Sequence, residues 1–232
     1  MVDMETLRVR LAGVRETLKT SAEAGGWPMP ELVVVTKTHP LEEILPLREL
    51  GVTCVGENRV QELQEKQPLL AENFQVHLIG RLQTNKVKYI MKGVSMVQSV
   101  DRWNLAEEID RQAQRQGVRM PVLIQISPVG EPQKGGLPRE ETERFLREAS
   151  RLDGLEIRGL MAVMPDWREE APLLEEFRRM RELFDQMRET APGGVRLREL
   201  SMGMSGDYPL AARCGATMVR VGSAILGPRT AQ

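Results

Sequence analysis

Aromatic residues are scarce in this chain: three Trp, two Tyr and four Phe, 4% of the sequence. That is too few for a surface on which nucleic-acid bases stack. An excess of one charge is also missing. Lys and Arg number 32 against 33 Asp and Glu, a formal net charge of −1. No global field therefore draws the chain to nucleic acid or to an anionic membrane, and neither is expected as a partner. The only two cysteines, Cys54 and Cys214, lie far apart without metal-ligand spacing. They read as reduced core thiols, and a cytoplasmic location is expected. Two histidines, His39 and His77, are too few for a histidine metal cluster. Residues 1–19 carry charges throughout and read neither as a signal peptide nor as a membrane span. No Pro/Gly/Ser-rich linker or low-complexity run interrupts the chain, so residues 1–232 are expected to form one domain.

What is present is an alternation of two periods. Leu7, Leu11, Val14 and Leu18 recur at helical spacing over residues 3–24, predicting an opening helix. Strands are then predicted at 32–35, 52–56, 74–80, 95–100, 121–127, 155–163, 198–202 and 217–222. Between them lie helical patterns at 41–50, 58–67 (stopped by Pro68), 85–92, 101–116, 138–151, 169–190 and 208–214. Unbroken strand–helix alternation implies parallel strands joined by right-handed crossovers. Eight such units in a chain of this length predict an α/β fold, a closed (β/α)8 TIM barrel with one added N-terminal helix. An open doubly wound sheet is the alternative.

In such a barrel, sites form where strands give way to the loops that lead into helices. The first strand, Leu32-Val33-Val34-Val35, runs out at Lys37, just before Pro40. An amine at the mouth of a core is disfavoured as ammonium, which suits it to condense with an aldehyde. Alone, the same lysine reads better as a strand end pointing into water. Other strand ends are unusually polar, however. Glu57 and Asn58 end the second strand; Ser201 and the run Gly203-Met204-Ser205-Gly206 follow the seventh; Gly222-Ser223 ends the eighth. Each glycine–serine segment alone could be a turn. At neighbouring strand ends they form a candidate anion site of backbone N–H groups and hydroxyls. A phosphate there and an amine at the first strand suggest a phosphorylated aldehyde between them, a description that pyridoxal 5′-phosphate fits. Arg220, inside an otherwise apolar strand, is either salt-bridged or a ligand of the pyridine ring. A guanidinium at the ring nitrogen would leave that nitrogen unprotonated and the ring a poor electron sink.

Six segments resemble the pyridoxal phosphate homeostasis protein family: Val35-Thr36-Lys37-Thr38-His39-Pro40, Gly56-Glu57-Asn58-Arg59-Val60-Gln61-Glu62, His77 to Lys86, Gly159-Leu160-Met161-Ala162, Leu200-Ser201-Met202-Gly203-Met204-Ser205, and Val219 to Gly227. They span nearly the whole chain. The resemblance implies a fold like the N-terminal barrel domain of alanine racemase, with pyridoxal phosphate held as an imine on Lys37. It further implies phosphate contacts from Ser205, the amide of Met204, Gly222 and Ser223, a ring-nitrogen contact from Arg220, and Asn58 near the ring. Ser201, in the same motif, joins the expected cofactor-binding set. His39 and Arg81 depart from the residues common in the family.

The resemblance implies a protein that carries and buffers pyridoxal phosphate without catalytic turnover, with cofactor-dependent apoenzymes as possible recipients. A monomer is expected. The alternative is a racemase-like enzyme. Racemization needs a base on each face of the substrate carbon, and racemases of this fold draw a tyrosine from a second domain. This chain ends at Gln232, soon after the eighth strand, and offers only Tyr89 and Tyr208. A barrel with a structural lysine and another phosphorylated ligand is the third reading.

Overall fold

A computed structural model describes residues 3–228. Residues 1–2 and 229–232, the two ends of the expected domain, lie outside the described residues. The chain opens with helix α1 (Met4–Gly25), whose first turn is capped by the Asp3 carboxylate accepting from the Thr6 N–H. Its buried residues, Leu7, Leu11, Val14, Leu18 and Ala22, form one stripe, which packs against helices near the C-terminus.

Among the described residues, eight parallel strands follow: β1 (Glu31–Val35), β2 (Cys54–Glu57), β3 (Gln75–Leu78), β4 (Met96–Val100), β5 (Met120–Ile126), β6 (Leu155–Ala162), β7 (Glu199–Ser201) and β8 (Met218–Val221). They pair in sequence order into a closed barrel, sealed where β1 meets β8 with Val33 opposite Arg220. The expected (β/α)8 barrel is therefore the fold, and the open-sheet alternative is excluded. The connecting helices are α2 (Leu41–Ile44), α3 (Pro46–Glu49), α4 (Val60–Asn73), α5 (Val87–Ile90), α6 (Trp103–Arg115), α7 (Thr142–Ala149), α8 (Glu170–Thr190) and α9 (Tyr208–Arg213), with one turn, α10 (Ser223–Leu226), after β8.

Strand alternation divides the core into two. Outward-facing Val34, Val55 and Val219 join the main core between strands and helices. Inward-facing Val33, Cys54 and Met218 form a separate layer inside the barrel. Burying each such valine is worth roughly 1.5–3 kcal/mol, which is why β1 reads as an uninterrupted apolar run.

Two local expectations need correction. The helix after β2 does not stop at Pro68 but runs through it to Asn73. Burial of Val60, Leu63 and Leu70 on one face outweighs the single hydrogen bond that proline forgoes. The helix expected over residues 41–50 is two single turns, α2 and α3, divided at Leu45–Pro46. Arg181 of α8 lies 4.3 Å over the Trp27 ring and pairs with Asp185 at 2.6 Å.

Candidate functional site

The inward register of the barrel leads directly to the site. Four residues beyond the interior layer of Val33, Cys54 and Met218 stand Lys37, Asn58 and Gly222. All three line one cavity of about 380 Å³ at the C-terminal end of the strands. Period-two alternation keeps each on its strand's inward face even where the strand has become loop. Val35, Ile79 and Val163 supply apolar lining; Met204, Ser205, Arg220 and Ser223 complete the polar wall. Seven of the eight residues expected at the site thus converge: Lys37, Asn58, Met204, Ser205, Arg220, Gly222 and Ser223.

Glycines make two of these approaches possible. Gly203 has φ +93°, and a Cβ there would fall 2.5 Å from the Ala211 Cβ. Gly80 lets β3 pass the Asn58 main chain, since its Cβ would lie 2.2 Å from the Asn58 carbonyl oxygen. The loops after β7 and β8 meet where the Gly222 N–H donates to Ser205 Oγ at 3.1 Å. The Asn58 Oδ1 is buried with no hydrogen-bond partner. An orphaned acceptor at a cavity wall is the kind of group that a bound ligand satisfies.

The eighth expected residue, Ser201, stands apart from this lining. It is fully buried and lies behind the cavity rather than in its lining. Its hydroxyl accepts from Arg220 Nη1 at 2.7 Å and donates to Gln98 Oε1 at 2.7 Å. The Gln98 amide then reaches His77 Nδ1 at 2.9 Å. The other Arg220 terminus, Nη2, donates to the Ala162 carbonyl at 2.8 Å. A chain of polar groups from β8, β7, β4 and β3 thus crosses the barrel interior and fixes the guanidinium plane.

Burial shapes the charges along this chain. It holds the His77 pKa down to about 4, with Arg158 acting in the same direction. His77 is neutral at pH 7. Because the Gln98 oxygen is occupied by Ser201, its NH2 faces His77, whose Nδ1 accepts and whose proton sits on Nε2. Burial also lowers the Arg220 pKa to about 10, opposed by Asp207, so the guanidinium stays charged at neutral pH. Asp207 itself is pushed up by burial, against the Met204 amide and Arg220, which favour its carboxylate. Cys54 and Cys214 are buried and their thiols are raised, chiefly by desolvation. Neither approaches a reactive thiolate.

Next to this cavity, and sharing Asn58 with it, opens a cleft lined by Arg59, Arg81, Lys86 and Arg102 with no acidic side chain. Among the described residues no group of His, Cys, Asp and Glu could hold a metal ion. No helix among them is long and apolar enough to cross a membrane.

The alanine racemase N-terminal domain model matches residues 9–230. A pyridoxal phosphate homeostasis protein of Deinococcus radiodurans is 42% identical over 216 residues, 93% of this chain and 96% of that relative. The protein of that name from Aquifex aeolicus is 37% identical over 223 residues, 95% of this chain and 97% of its own. The chain belongs to the pyridoxal phosphate homeostasis protein family. A solved structure of one relative, PipY of Synechococcus elongatus with pyridoxal phosphate bound, matches with a TM-score of 0.84. It is 34% identical and covers 95% of this chain and 100% of that one.

The family motifs account for the cavity wall but not for what stands behind it. Gln98 escaped the sequence reading. Its only signal is a polar residue at an inward position of the strand Met96-Val97-Gln98-Ser99-Val100, two places after Met96. His77 was legible as a strand residue but not as the end of a chain to Arg220. Glu62 closes a family segment, but neither it nor Lys66 was legible as a partner of the main chain beside Lys37, since those contacts form only where α4 packs against the β1–α2 loop.

Proposed function

We propose that this protein binds pyridoxal 5′-phosphate in the cavity at Lys37 and acts as a carrier and buffer of that cofactor. The observation that carries this reading is the convergence of an amine, Lys37, with Arg220 and with the Ser205–Gly222 contact on one cavity. The donor set fits the ligand. The hydroxyls of Ser205 and Ser223 suit a phosphate, and a phosphate would take over the Gly222 N–H from Ser205 Oγ and the Met204 N–H from the Asp207 carboxylate. Arg220 suits an unprotonated pyridine nitrogen, and Asn58 has an unpartnered oxygen to satisfy. When bound, the cofactor supplies an aldehyde that condenses with the Lys37 amine, releasing water and leaving an imine.

Carrying is favoured over turnover by the proton chemistry of the wall. Racemization requires a second base facing the first. Apart from the loop that bears Lys37 and His39, the polar lining is Asn58, Ser205, Ser223 and Arg220. None of these exchanges a proton near neutral pH. Neither Tyr89 nor Tyr208 is in the lining. Release to apoenzymes dependent on the cofactor belongs to the same reading and is supported by the exposed rim at Met204.

The test has two arms. The cofactor-loaded protein is incubated with D- and L-amino acids in deuterium oxide, and with a cofactor-free aminotransferase. Reactivation of the aminotransferase without deuterium at the amino-acid Cα is the expected result. Steady incorporation of deuterium at Cα would replace the carrier with an enzyme.

A further inference from the structure

The residue after Lys37 is strained. Thr38 has φ +66°, a left-handed conformation that β-branched residues adopt only when their surroundings impose it. The surroundings are three charged side chains from β2 and α4. The Thr38 N–H donates to Glu62 Oε2 at 2.8 Å. On the other side of Lys37, the Thr36 hydroxyl donates to Glu57 Oε1 at 2.7 Å, and the Thr36 carbonyl accepts from Lys66 Nζ at 3.3 Å. Lys66 joins the two carboxylates, 3.1 Å from Glu57 and 3.9 Å from Glu62. The Glu57 side chain is fully buried and that of Lys66 is 11% exposed. None of the three lines the cavity that holds Lys37. Both chain neighbours of the lysine are therefore clamped by one buried ion cluster that does not itself reach the ligand space.

We propose that Glu57, Lys66 and Glu62 are positioning residues. They hold the Thr36–Lys37–Thr38 main chain in its strained course so that the Lys37 amine is presented to the cofactor aldehyde. The inference rests on the proposed function. Imine formation joins the amine nitrogen to the aldehyde carbon; the carbonyl oxygen leaves as water with both amine hydrogens. Such a step depends steeply on approach geometry, and a displacement of about 1 Å can cost on the order of a hundredfold. Phosphate and ring contacts made by Ser205, Gly222 and Arg220 come from β7 and β8 and do not pass through the cluster.

The experiment separates the two. Wild type, Glu62→Ala, Glu62→Gln and Lys66→Met are mixed with pyridoxal phosphate, and imine formation is followed by absorbance and by borohydride trapping at Lys37. In parallel, the dissociation constant for pyridoxine 5′-phosphate, which lacks the aldehyde, is measured. Glu62→Ala is expected to slow trapping by about tenfold while pyridoxine phosphate binding moves less than about twofold. Glu62→Gln, whose amide oxygen still accepts from Thr38, is expected to restore the rate. Lys66→Met should show the same split, and it stands in if the alanine variant does not fold. Trapping at the wild-type rate in both Glu62→Ala and Lys66→Met, or a parallel loss of pyridoxine phosphate binding, would overturn the positioning role. Wild type that cannot be trapped would overturn the proposed function, and this inference with it.

Discussion

Arg220 illustrates how one side chain is prepared for a ligand. Its two terminal nitrogens are committed to Ser201 and to the Ala162 carbonyl, so its orientation is set before anything binds. Ser201 is the cost-bearing partner. Ser201→Ala leaves Arg220 Nη1 and Gln98 Oε1 without their shared hydroxyl in a buried setting. Urea denaturation should show a loss of roughly 1–3 kcal/mol, the penalty for unsatisfied buried groups; an unchanged midpoint would place Ser201 outside the chain. Ser205 differs, because it stands in the cavity wall. Ser205→Ala should weaken pyridoxal phosphate binding by about 1 kcal/mol, a neutral hydrogen bond's net worth. An equilibrium dissociation constant equal to that of wild type would move the phosphate away from Ser205. The identity of both serines was legible in the Leu200–Ser205 motif. Which of them lines the cavity was not, because that depends on which way each points once the barrel closes.

At the scale of elements, the strands were more legible than the helices. A Val-rich run buried on both faces has one reading, and its inward alternation projects past the strand end to Lys37. Helix ends depend on tertiary burial, as α4 shows by continuing through Pro68 to keep Leu70 packed. The polar chain from β8 to β3 belongs to this scale too and was the least legible, since it depends on cross-lumen register between strands far apart in sequence. It makes the barrel sensitive to acid. Burial lowers the folded His77 pKa to about 4 from an ordinary 6.5, so below 6.5 the unfolded chain binds a proton that the folded one refuses. Stability from this group is complete above 6.5, falls as pH drops and is fully lost below about 4. The difference amounts to roughly 3 kcal/mol. Denaturant midpoints from pH 7 to 4 should therefore fall less steeply in His77→Gln than in wild type; parallel slopes would contradict a buried neutral His77.

For the whole molecule, the barrel brings β1, β2, β7 and β8 to one mouth although Lys37 and Gly222 lie 185 residues apart in sequence. Strand–helix alternation was enough to predict that closure, and closure was enough to gather seven of the eight expected residues. The Glu57–Lys66–Glu62 cluster lay beyond such reasoning because it depends on the path of a single loop. The proposed cofactor binding centres on Lys37, and the most direct measurement is borohydride reduction of the protein incubated with pyridoxal phosphate, followed by peptide mass mapping. A pyridoxyl adduct on the peptide bearing Lys37 is predicted. Lys37→Ala should lose that adduct while keeping the wild-type circular dichroism, since the apolar core that closes the barrel does not include Lys37. A wild-type protein that gains no adduct at Lys37 under excess cofactor would contradict the account.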